Sequence, residues 1–282
     1  MQLGELELHT ISGGRFWIDG GTMFGVVPRV LWQRSCPPDE LNRVPQATNC
    51  VLVRTPQHTV LIDTGYGSKL PPKQQRILGS QEGDALLESL SEAGFSADDV
   101  DTVVLSHLHF DHAGGATRID EKGVLRPAFP SARYVVQRLE WENAVSGVAE
   151  LRGVYPLENL LPIQDAGQLD LIDGDGPIVP GVRALISPGH TAGHMCVVLE
   201  SGGETAVYLG DLCPTQHHLP ILWCMAYDVD LLETRRRRAE ILGWIADAGH
   251  WTLFDHDPDL AAARLTRDDR RDFAIDDSLA AL

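Results

Sequence analysis

The sequence lacks any closely spaced pair of cysteines. Its five cysteines are scattered along 282 residues, at Cys36, Cys50, Cys196, Cys213 and Cys224. The absence of a Cys-x-x-Cys pair excludes a zinc ribbon and a thioredoxin-type redox motif. An odd number of cysteines in a chain of this size also argues against a disulfide framework, and it favours a reducing compartment.

Basic residues and long apolar runs are scarce as well. The chain has 23 lysines and arginines against 40 acidic residues, and its formal net charge is −17. Nucleic acids and anionic membranes are bound through basic patches, so this balance argues against both as partners. The sequence contains no apolar run of about 18 residues, which a membrane-spanning helix needs. Residues 1–7 lack the basic and apolar regions of a signal peptide, and we therefore expect a cytoplasmic location.

The most informative segment lies at residues 106–115. Three histidines and an aspartate fall within six residues, at His107, His109, Asp111 and His112. An apolar run precedes them and two glycines follow them. Neutral imidazole and carboxylate are ligands that zinc and similar cations accept. In extended backbone His107 and His109 project to one side, whereas Asp111 and His112 are adjacent and point apart. The segment therefore predicts a buried strand whose end carries ligands for two neighbouring metal ions.

The remaining pattern indicates one domain over residues 1–282. Strand-rich blocks at 3–63 and 182–211 are separated by helical segments, and ligand-type residues follow apolar strands in each case. This arrangement predicts an α/β fold in which two sheets pack face to face with helices outside.

Six other segments carry predictions of local structure. Residues 23–27 suit a strand or an apolar flap, and 66–82 suit a mobile surface segment. Residues 137–149 and 229–247 predict helices, and 150–180 is rich in loops. The tail from residue 259 is polar, and we expect it to be partly helical and loosely held. Four consecutive arginines at 235–238 cannot share one helix face, so they predict a solvated helix surface.

Further ligand candidates complete a recognisable order. The metal motif is followed by Gly-His-Thr-x-Gly-His ending at His194, by Gly-Asp at Asp211 and by the late His256; Asp63-Thr-Gly precedes it. This order, over about residues 48–258, resembles the metallo-β-lactamase superfamily. The resemblance implies an αββα sandwich of two mixed β-sheets flanked by helices, with the metals at one edge.

The resemblance also implies a role for each candidate. One metal would be bound by His107, His109 and His194, and a second by Asp111, His112 and His256, with Asp211 bridging them. His190 would have a supporting role, and Asp63 is a candidate for fixing a histidine tautomer. Two divalent cations are implied; zinc is favoured, although manganese, iron and cobalt accept the same ligands.

These ions imply a metal-dependent hydrolase. Two cations about 3.5 Å apart lower the pKa of a shared water to near neutral, and the resulting hydroxide can attack an ester-like carbonyl or a phosphoryl centre. By family analogy Asp111, the candidate catalytic residue, carries the proton to the leaving group.

The motif at 107–115 looks most like that of N-acyl homoserine lactone lactonases. These lactonases place a tyrosine shortly after the bridging aspartate, whereas Asp211 is followed here by Leu-Cys-Pro. Tyr227 is a candidate replacement. With Phe110 and Trp223 it forms our set of candidate substrate contacts, which would line an apolar pocket for a small-molecule substrate.

Other functions remain open at this point. A glyoxalase II-like thioesterase would share the ligands, but it usually has a basic substrate-binding region that the acidic tail here does not provide. Residues 214–228 also resemble a stretch of organophosphate-hydrolase-like members, so an aryl ester or phosphotriester is an alternative substrate. A signal-binding effector that keeps the metals but turns over little substrate belongs to a different class. The sequence leaves a homodimer open.

Overall fold

The computed structural model describes residues 1–148 and 153–282. The strands of these residues are β1 (Gln2–Leu3), β2 (Leu6–Asp19), β3 (Arg43–Arg54), β4 (Thr59–Ile62), β5 (Thr102–Val104), β6 (Thr117–Ile119), β7 (Leu125–Pro127), β8 (Arg133–Gln137), β9 (Leu169–Ile172), β10 (Gly176–Val179), β11 (Val182–Ile186), β12 (Met195–Ser201), β13 (Glu204–Tyr208), β14 (Trp251–Leu253), β15 (Ala262–Asp268) and β16 (Asp272–Leu279). The α-helices are α1 (Gly20–Phe24), α2 (Arg29–Trp32), α3 (Pro72–Leu78), α4 (Ala85–Glu92), α5 (Phe110–Ala113), α6 (Arg138–Val145), α7 (Leu161–Asp165) and α8 (Leu231–Ala248).

Two seven-stranded sheets form the centre of the fold. The first has the order β1-β2-β3-β4-β5-β8-β9, and the second has the order β10 to β16 in sequence; β6 and β7 form a separate hairpin. Strands β4, β5, β8 and β9 run parallel, as do β13 and β14, whereas the other pairs in the two sheets are antiparallel. Both large sheets are therefore mixed.

Side-chain alternation separates the layers. Val103 packs against the helices outside the first sheet, whereas its neighbour Val104 points into the space between the sheets. Val197 of β12 likewise faces the first sheet, and Val198 faces Ile241 of α8. The result is four layers, and the predicted αββα sandwich is confirmed. Among the described residues, no helix is both long enough and apolar enough to cross a membrane.

The sheets bring the ligand-bearing loops to one edge. Asp63 follows β4, the motif at 106–112 follows β5, and Asp211 and His256 follow β13 and β14. Since β4 is parallel to β5 and β13 is parallel to β14, the carboxyl ends within each pair lie side by side. The connection between β11 and β12 supplies residues 187–194 at the same edge.

Local structure corrects several expectations. Residues 20–24 form helix α1 because the side chain of Asp19 accepts hydrogen bonds from the amides of Gly21 and Thr22, 2.8 and 3.1 Å away. The surface segment 66–82 contains helix α3, which begins at a proline and ends at the left-handed Gly79.

The tail differs most from its prediction. Residues 262–279 form β15 and β16, which extend the second sheet beyond β14. Burial of Ala262, Ala263 and Leu265 fixes β15, and the guanidinium of Arg264 covers the Trp251 ring at 4.6 Å. The sequence did not predict these strands because many of their residues are small or charged.

The remaining predictions of local structure agree with the observed structure in part. The 150–180 region holds two strands, β9 and β10, and the helix predicted over 137–149 ends at Val145. The end of that predicted helix, at residue 149, and residues 150–152 of the loop-rich region lie outside the described residues. Helix α8 agrees with its prediction to within two residues at its start and one at its end.

Candidate metal centre

Asp63 organises the strand ends from which the centre is built. Its carboxylate accepts hydrogen bonds from the amide and the hydroxyl of Ser106, both at 2.7 Å, and from the Tyr208 hydroxyl at 2.9 Å. Its Oδ2 also lies 2.8 Å from Nδ1 of His112, and a carboxylate with these donors around it accepts that proton too. The bond leaves the Nε2 lone pair of His112 free for a cation, which is the role expected of Asp63.

Asp63 itself has an unusual backbone conformation. Its φ is 58°, in the left-handed region that a non-glycine residue rarely adopts. Its side chain is buried and makes all the bonds just described, so the surrounding structure holds it there. Gly65, two residues later, also has a positive φ, and its α-carbon packs so closely on Gly13 that an added Cβ would lie 2.6 Å from the Gly13 backbone.

The first group of ligand atoms belongs to His107, His109, His190 and Asp211, all within 4.8 Å of one another and all buried. Nε2 of His190 lies 2.9 Å from Oδ2 of Asp211 and 3.0 Å from Nδ1 of His109. Nδ1 of His190 donates to Asp228, 2.9 Å away. Asp228 thus fixes the tautomer of His190 and turns its Nε2 towards the group.

The second group belongs to His112, Asp211, Asp255 and His256, again within 4.8 Å. Oδ1 of Asp211 lies 3.2 Å from Nε2 of His256 and 3.6 Å from Nε2 of His112. Nδ1 of His256 donates to the backbone carbonyl of Ala47 at 2.7 Å. Since Oδ2 of Asp211 faces the first group and Oδ1 faces the second, Asp211 is placed to bridge two cations.

Asp111 lies at the rim of the second group. Its Oδ2 is 3.6 Å from Nε2 of His256, and its Oδ1 is 4.0 Å from Nε2 of His112. Its side chain is 12% exposed, compared with 4% for that of Asp211. Asp111 is therefore next to the centre and also within reach of solvent, a position that suits a residue exchanging protons.

The structure does not bring His194 into either group. Its ring packs behind Asp211, so that a Cβ added at Gly210 would lie 2.7 Å from His194 Nε2. Its Nδ1 lies 2.8 Å from the Ser187 hydroxyl. Asp228 holds the His190 ring against Asp211. His194 Nε2 is nevertheless buried without a hydrogen-bond partner among the described residues, and burial lowers the pKa of His194 to about 3, so its role as a ligand stays a prediction. Both histidines belong to one short turn, and the sequence carries no signal that separates them.

Burial and neighbouring charges set the protonation of the centre. Burial, reinforced by nearby imidazoles, lowers the pKa of His107 and His109 well below the ordinary value. Burial opposes protonation of His190, but Asp211 and Asp228 raise its pKa to about 10. Burial also opposes ionisation of Asp211, yet the surrounding histidines hold its pKa well below its usual range. His107 and His109 are therefore neutral and Asp211 is ionised, as cation binding requires, whereas His190 must lose a proton before its Nε2 can bind a cation.

The residues fit a bound metal. Within residues 1–148 and 153–282, Nε2 of His107, Oδ1 of Asp211 and both carboxylate oxygens of Asp255 are buried without a hydrogen-bond partner. Buried polar atoms are rarely left in this state. Imidazole nitrogens and carboxylate oxygens that converge without donors between them suit a divalent cation.

A buried carboxylate, that of Glu140 in α6, braces the first group. It accepts hydrogen bonds from the Leu108 amide and the Tyr155 hydroxyl at 3.0 Å, and from the Thr191 hydroxyl at 2.6 Å. Leu108 lies between two ligands of the first group, and Thr191 follows His190. Glu140 thus ties together the two loops that supply this group. Burial raises the pKa of Glu140, and the hydrogen bonds oppose that effect.

The three candidate substrate contacts are placed differently. Phe110 lines a cavity of about 580 Å³, together with Tyr66, Lys69, Leu70, Tyr155 and Leu157 among others. Tyr227 packs edge-to-face on the His190 ring, with centroids 5.7 Å apart, and therefore lies beside the first group. Trp223 packs on Phe24 at 5.8 Å, in a separate apolar cluster. Tyr227 packs against the same cluster, and its hydroxyl lies 3.6 Å from the sulfur of Met23. The structure thus places Phe110 in the cavity, Tyr227 between His190 and the cluster, and Trp223 in the cluster.

The arginines at 235–238 do not all face solvent. Arg236 is exposed and pairs with Glu233 and Glu240, as predicted. Arg238 is fully buried, and its guanidinium donates to the carbonyls of Leu212 at 2.6 Å and Trp223 at 2.5 Å. The expectation of a solvated helix surface is therefore wrong for Arg238, which ties the loop after Asp211 to α8.

The sequence analysis gave His190 only a supporting role, and it did not indicate three further residues of the centre, Asp228, Glu140 and Asp255. Asp228 and Glu140 lie far in sequence from the histidines they support, so no local pattern indicates them. Asp255 had a local signal, because it stands beside His256 after an apolar strand. Adjacent residues point apart in a regular strand, and only the bend at 255–256 turns both inward.

Comparison with known proteins agrees with this geometry. The family model of the Metallo-beta-lactamase superfamily matches residues 43–273. An N-acyl homoserine lactonase from Bacillus thuringiensis is 29% identical over 213 residues, which cover 72% of this chain and 74% of that protein.

Solved structures show the same fold. A probable metal-dependent hydrolase from Staphylococcus aureus superimposes with a TM-score of 0.91 at 32% identity, covering 99% of this chain and 98% of that chain. A dizinc quorum-quenching lactonase solved with a product superimposes with a TM-score of 0.81 at 24% identity, covering 99% and 97%. The chain is a metal-dependent hydrolase and belongs to the metallo-β-lactamase superfamily.

Proposed function

We propose that this protein is a dinuclear hydrolase that opens the lactone ring of N-acyl homoserine lactones. One observation carries the proposal: two groups of ligand atoms share Asp211, one oxygen for each, at an edge next to the cavity lined by Phe110. A carboxylate that faces two ligand groups in this way suits two neighbouring cations better than one.

The chain's own residues divide between the two cations. His107, His109 and His190 would bind the first, and His112 and His256 would bind the second together with Asp111, with Asp211 shared between the cations. His190 replaces the His194 of our prediction because its Nε2 lies in the first group. When bound, two such cations supply an activated water and a Lewis acid for an ester carbonyl.

Asp111 and Tyr227 have separate tasks in this proposal. Asp111 is the proton carrier, because its carboxylate reaches both the ligand group and solvent. It would take the proton from the attacking water oxygen and pass it to the alkoxide oxygen released when the ring opens. Tyr227 packs beside His190, and its hydroxyl would orient the substrate carbonyl in the role that lactonases give to a tyrosine nearer the bridging aspartate.

Two observations support an acyl lactone as the substrate. The Bacillus thuringiensis relative is named an N-acyl homoserine lactonase. The cavity beside Phe110 is lined mostly by apolar side chains and is large enough for an acyl chain of moderate length. The lactone ring would lie at the metals, and the acyl chain would extend along Phe110 towards Leu157.

A rate screen tests the proposal directly. Protein loaded with zinc, and in parallel with manganese, is assayed on acyl homoserine lactones, aryl esters, thioesters and phosphotriesters, with metal content measured by elemental analysis. We expect two metals per chain and the highest kcat/KM on a lactone. A higher kcat/KM on an aryl ester, thioester or phosphotriester would reassign the substrate, and one metal per chain would remove the dinuclear mechanism.

The metal-free protein is the matched control. Binding of an acyl homoserine lactone without turnover by the metal-loaded protein would indicate a signal-binding effector instead of an enzyme. A His109→Ala variant with an unchanged circular dichroism spectrum should lose turnover on every substrate, because His109 belongs to the first ligand group.

A further inference from the structure

Asp255 is a buried carboxylate that the ligand set proposed above leaves unused. It lies two residues beyond the end of β14 and directly precedes His256, and only 1% of its surface is exposed. Within the described parts of the chain, neither of its oxygens has a hydrogen-bond partner. An ionised carboxylate is costly to bury unless a cation or hydrogen-bond donors compensate it.

In their neutral form, the two imidazole rings beside Asp255 offer it lone pairs and not donors. Its Oδ2 lies 3.6 Å from Nε2 of His256 and 3.9 Å from Nε2 of His112. Each of these rings donates its Nδ1 proton elsewhere, to the Ala47 carbonyl and to Asp63 respectively. In the neutral rings both Nε2 atoms therefore carry a lone pair, which repels the carboxylate.

The same point is also approached by Oδ1 of Asp211. Two imidazole lone pairs and two carboxylates thus converge within 4.8 Å, with all four side chains buried. A divalent ion bound by all four groups would balance the charge and satisfy the otherwise isolated Asp255 oxygens.

We infer that Asp255 is a ligand of the second cation, in addition to Asp111, His112, Asp211 and His256. The inference rests on the proposed two-metal function and adds to it a residue of this chain. A further carboxylate makes the second site richer in oxygen than the first, which has three imidazoles. Oxygen-rich sites suit manganese and other hard divalent cations better than imidazole-rich sites do, so the two sites should differ in metal preference.

Metal retention in an Asp255→Asn variant tests this assignment. The amide keeps the shape of the side chain but removes its charge. Wild-type protein and the variant are loaded with manganese and titrated with a chelator, and the bound metal is counted by elemental analysis. We expect wild type to keep both metals up to a high chelator concentration. Asp255→Asn should lose one metal at a chelator concentration at least about tenfold lower. Electron paramagnetic resonance should then show an isolated manganese ion in the variant.

Asp228→Asn is the matched control, since Asp228 is a buried carboxylate that contacts His190 of the first group. It should weaken the other site, and zinc retention should suffer more than manganese retention. Thermal unfolding with and without manganese gives a second readout. The rise in melting temperature on adding manganese should be smaller for Asp255→Asn than for wild type, because the amide is a weaker ligand than the carboxylate.

The outcomes separate this inference from the proposed function. If wild type holds one metal, the dinuclear proposal fails and Asp255 has no second cation to bind. If wild type and Asp255→Asn both hold two metals with the same chelator midpoint, Asp255 is not a ligand, although the dinuclear proposal stands. An equal rise in melting temperature for both proteins on adding manganese would also overturn the inference.

Discussion

The two halves of the metal centre are held by different parts of the fold. In the second group, His112 is fixed by Asp63 after β4, and His256 by the Ala47 carbonyl within β3. In the first group, His190 is fixed by Asp228, which precedes α8. The second group is therefore anchored on the sheets, whereas the first depends on loops and helices outside them.

Backbone contacts show the same difference. The carbonyl of His112 accepts hydrogen bonds from the amide and the hydroxyl of Thr64, and the amide of Asn49 donates to the Asp255 carbonyl. The turn containing His190 is instead bonded to residues 229 and 230 in front of α8. Sites on sheet edges are positioned more rigidly than sites on loops. We conclude that the second half is preformed and that the first half depends on the packing of α6 and α8.

The largest effect should come from the residue that the halves share. Asp211→Ala removes an oxygen from each group and leaves four neighbouring histidines without their carboxylate. We expect loss of both metals and a fall in kcat/KM of at least about 10³-fold. Elemental analysis and a lactonase assay measure the two effects. Retention of two metals would mean that Asp211 does not connect the halves.

The second prediction concerns stability of the sheet-anchored half. Asp63→Asn replaces a carboxylate that accepts four hydrogen bonds, and at least one donor must lose its partner. We expect a loss of about 3 kcal/mol in the free energy of unfolding of metal-free protein, measured by urea denaturation. Asp228→Asn should cost less, because Asp228 has one recorded ion pair, with His190. Equal losses in the two variants would remove the contrast between the halves.

The third prediction separates the two histidines of one turn. His190→Ala removes a ligand atom of the first group, so we expect one metal per chain and a fall in kcat of roughly 10²-fold. His194→Asn should keep both metals and instead lower the melting temperature, since His194 packs against Gly210 and Ser187. If His194→Asn loses a metal and His190→Ala does not, the assignment drawn from the sequence is the correct one.

These two histidines show where sequence reasoning ends. The motif at 106–112 and the apolar strands before Asp211 and His256 predicted the layers of the fold and most of the centre, because ligand spacing and strand alternation are local. The choice between His190 and His194 depends on Asp228, a residue 38 positions away from His190. The strands β15 and β16 were missed for a similar reason: their short and polar side chains form a strand only because β14 offers a free edge to pair with.

The fourth prediction concerns the cavity, which adjoins the first half. Phe110 lines it, and so does Tyr155, whose ring lies 5.2 Å from that of His109. Phe110→Ala should raise KM for long-chain acyl lactones about tenfold and leave short-chain substrates nearly unchanged, since an apolar contact of this size contributes about 1–3 kcal/mol. The measurement is a series of kcat/KM values over acyl chain length. An equal change at every length would place the acyl chain elsewhere.

The smallest effect should be a pH dependence of the free energy of unfolding that comes from Glu140, the carboxylate that braces the first half. Burial raises the pKa of Glu140 above its ordinary value of 4.5, so the folded protein binds this proton more tightly than the unfolded chain does. The contribution of Glu140 to stability is therefore fully present below that value, and it declines as pH rises through the raised pKa. Glu140→Gln cannot titrate, and its free energy of unfolding should lack this decline while differing from wild type by about 1 kcal/mol. Urea denaturation of metal-free proteins between about pH 4 and pH 8 gives the difference curve. The prediction is wrong if the difference in free energy of unfolding between wild type and Glu140→Gln does not fall as pH rises. Glu140 would then be ionised in the folded protein at no cost, and the first half would be as well anchored as the second.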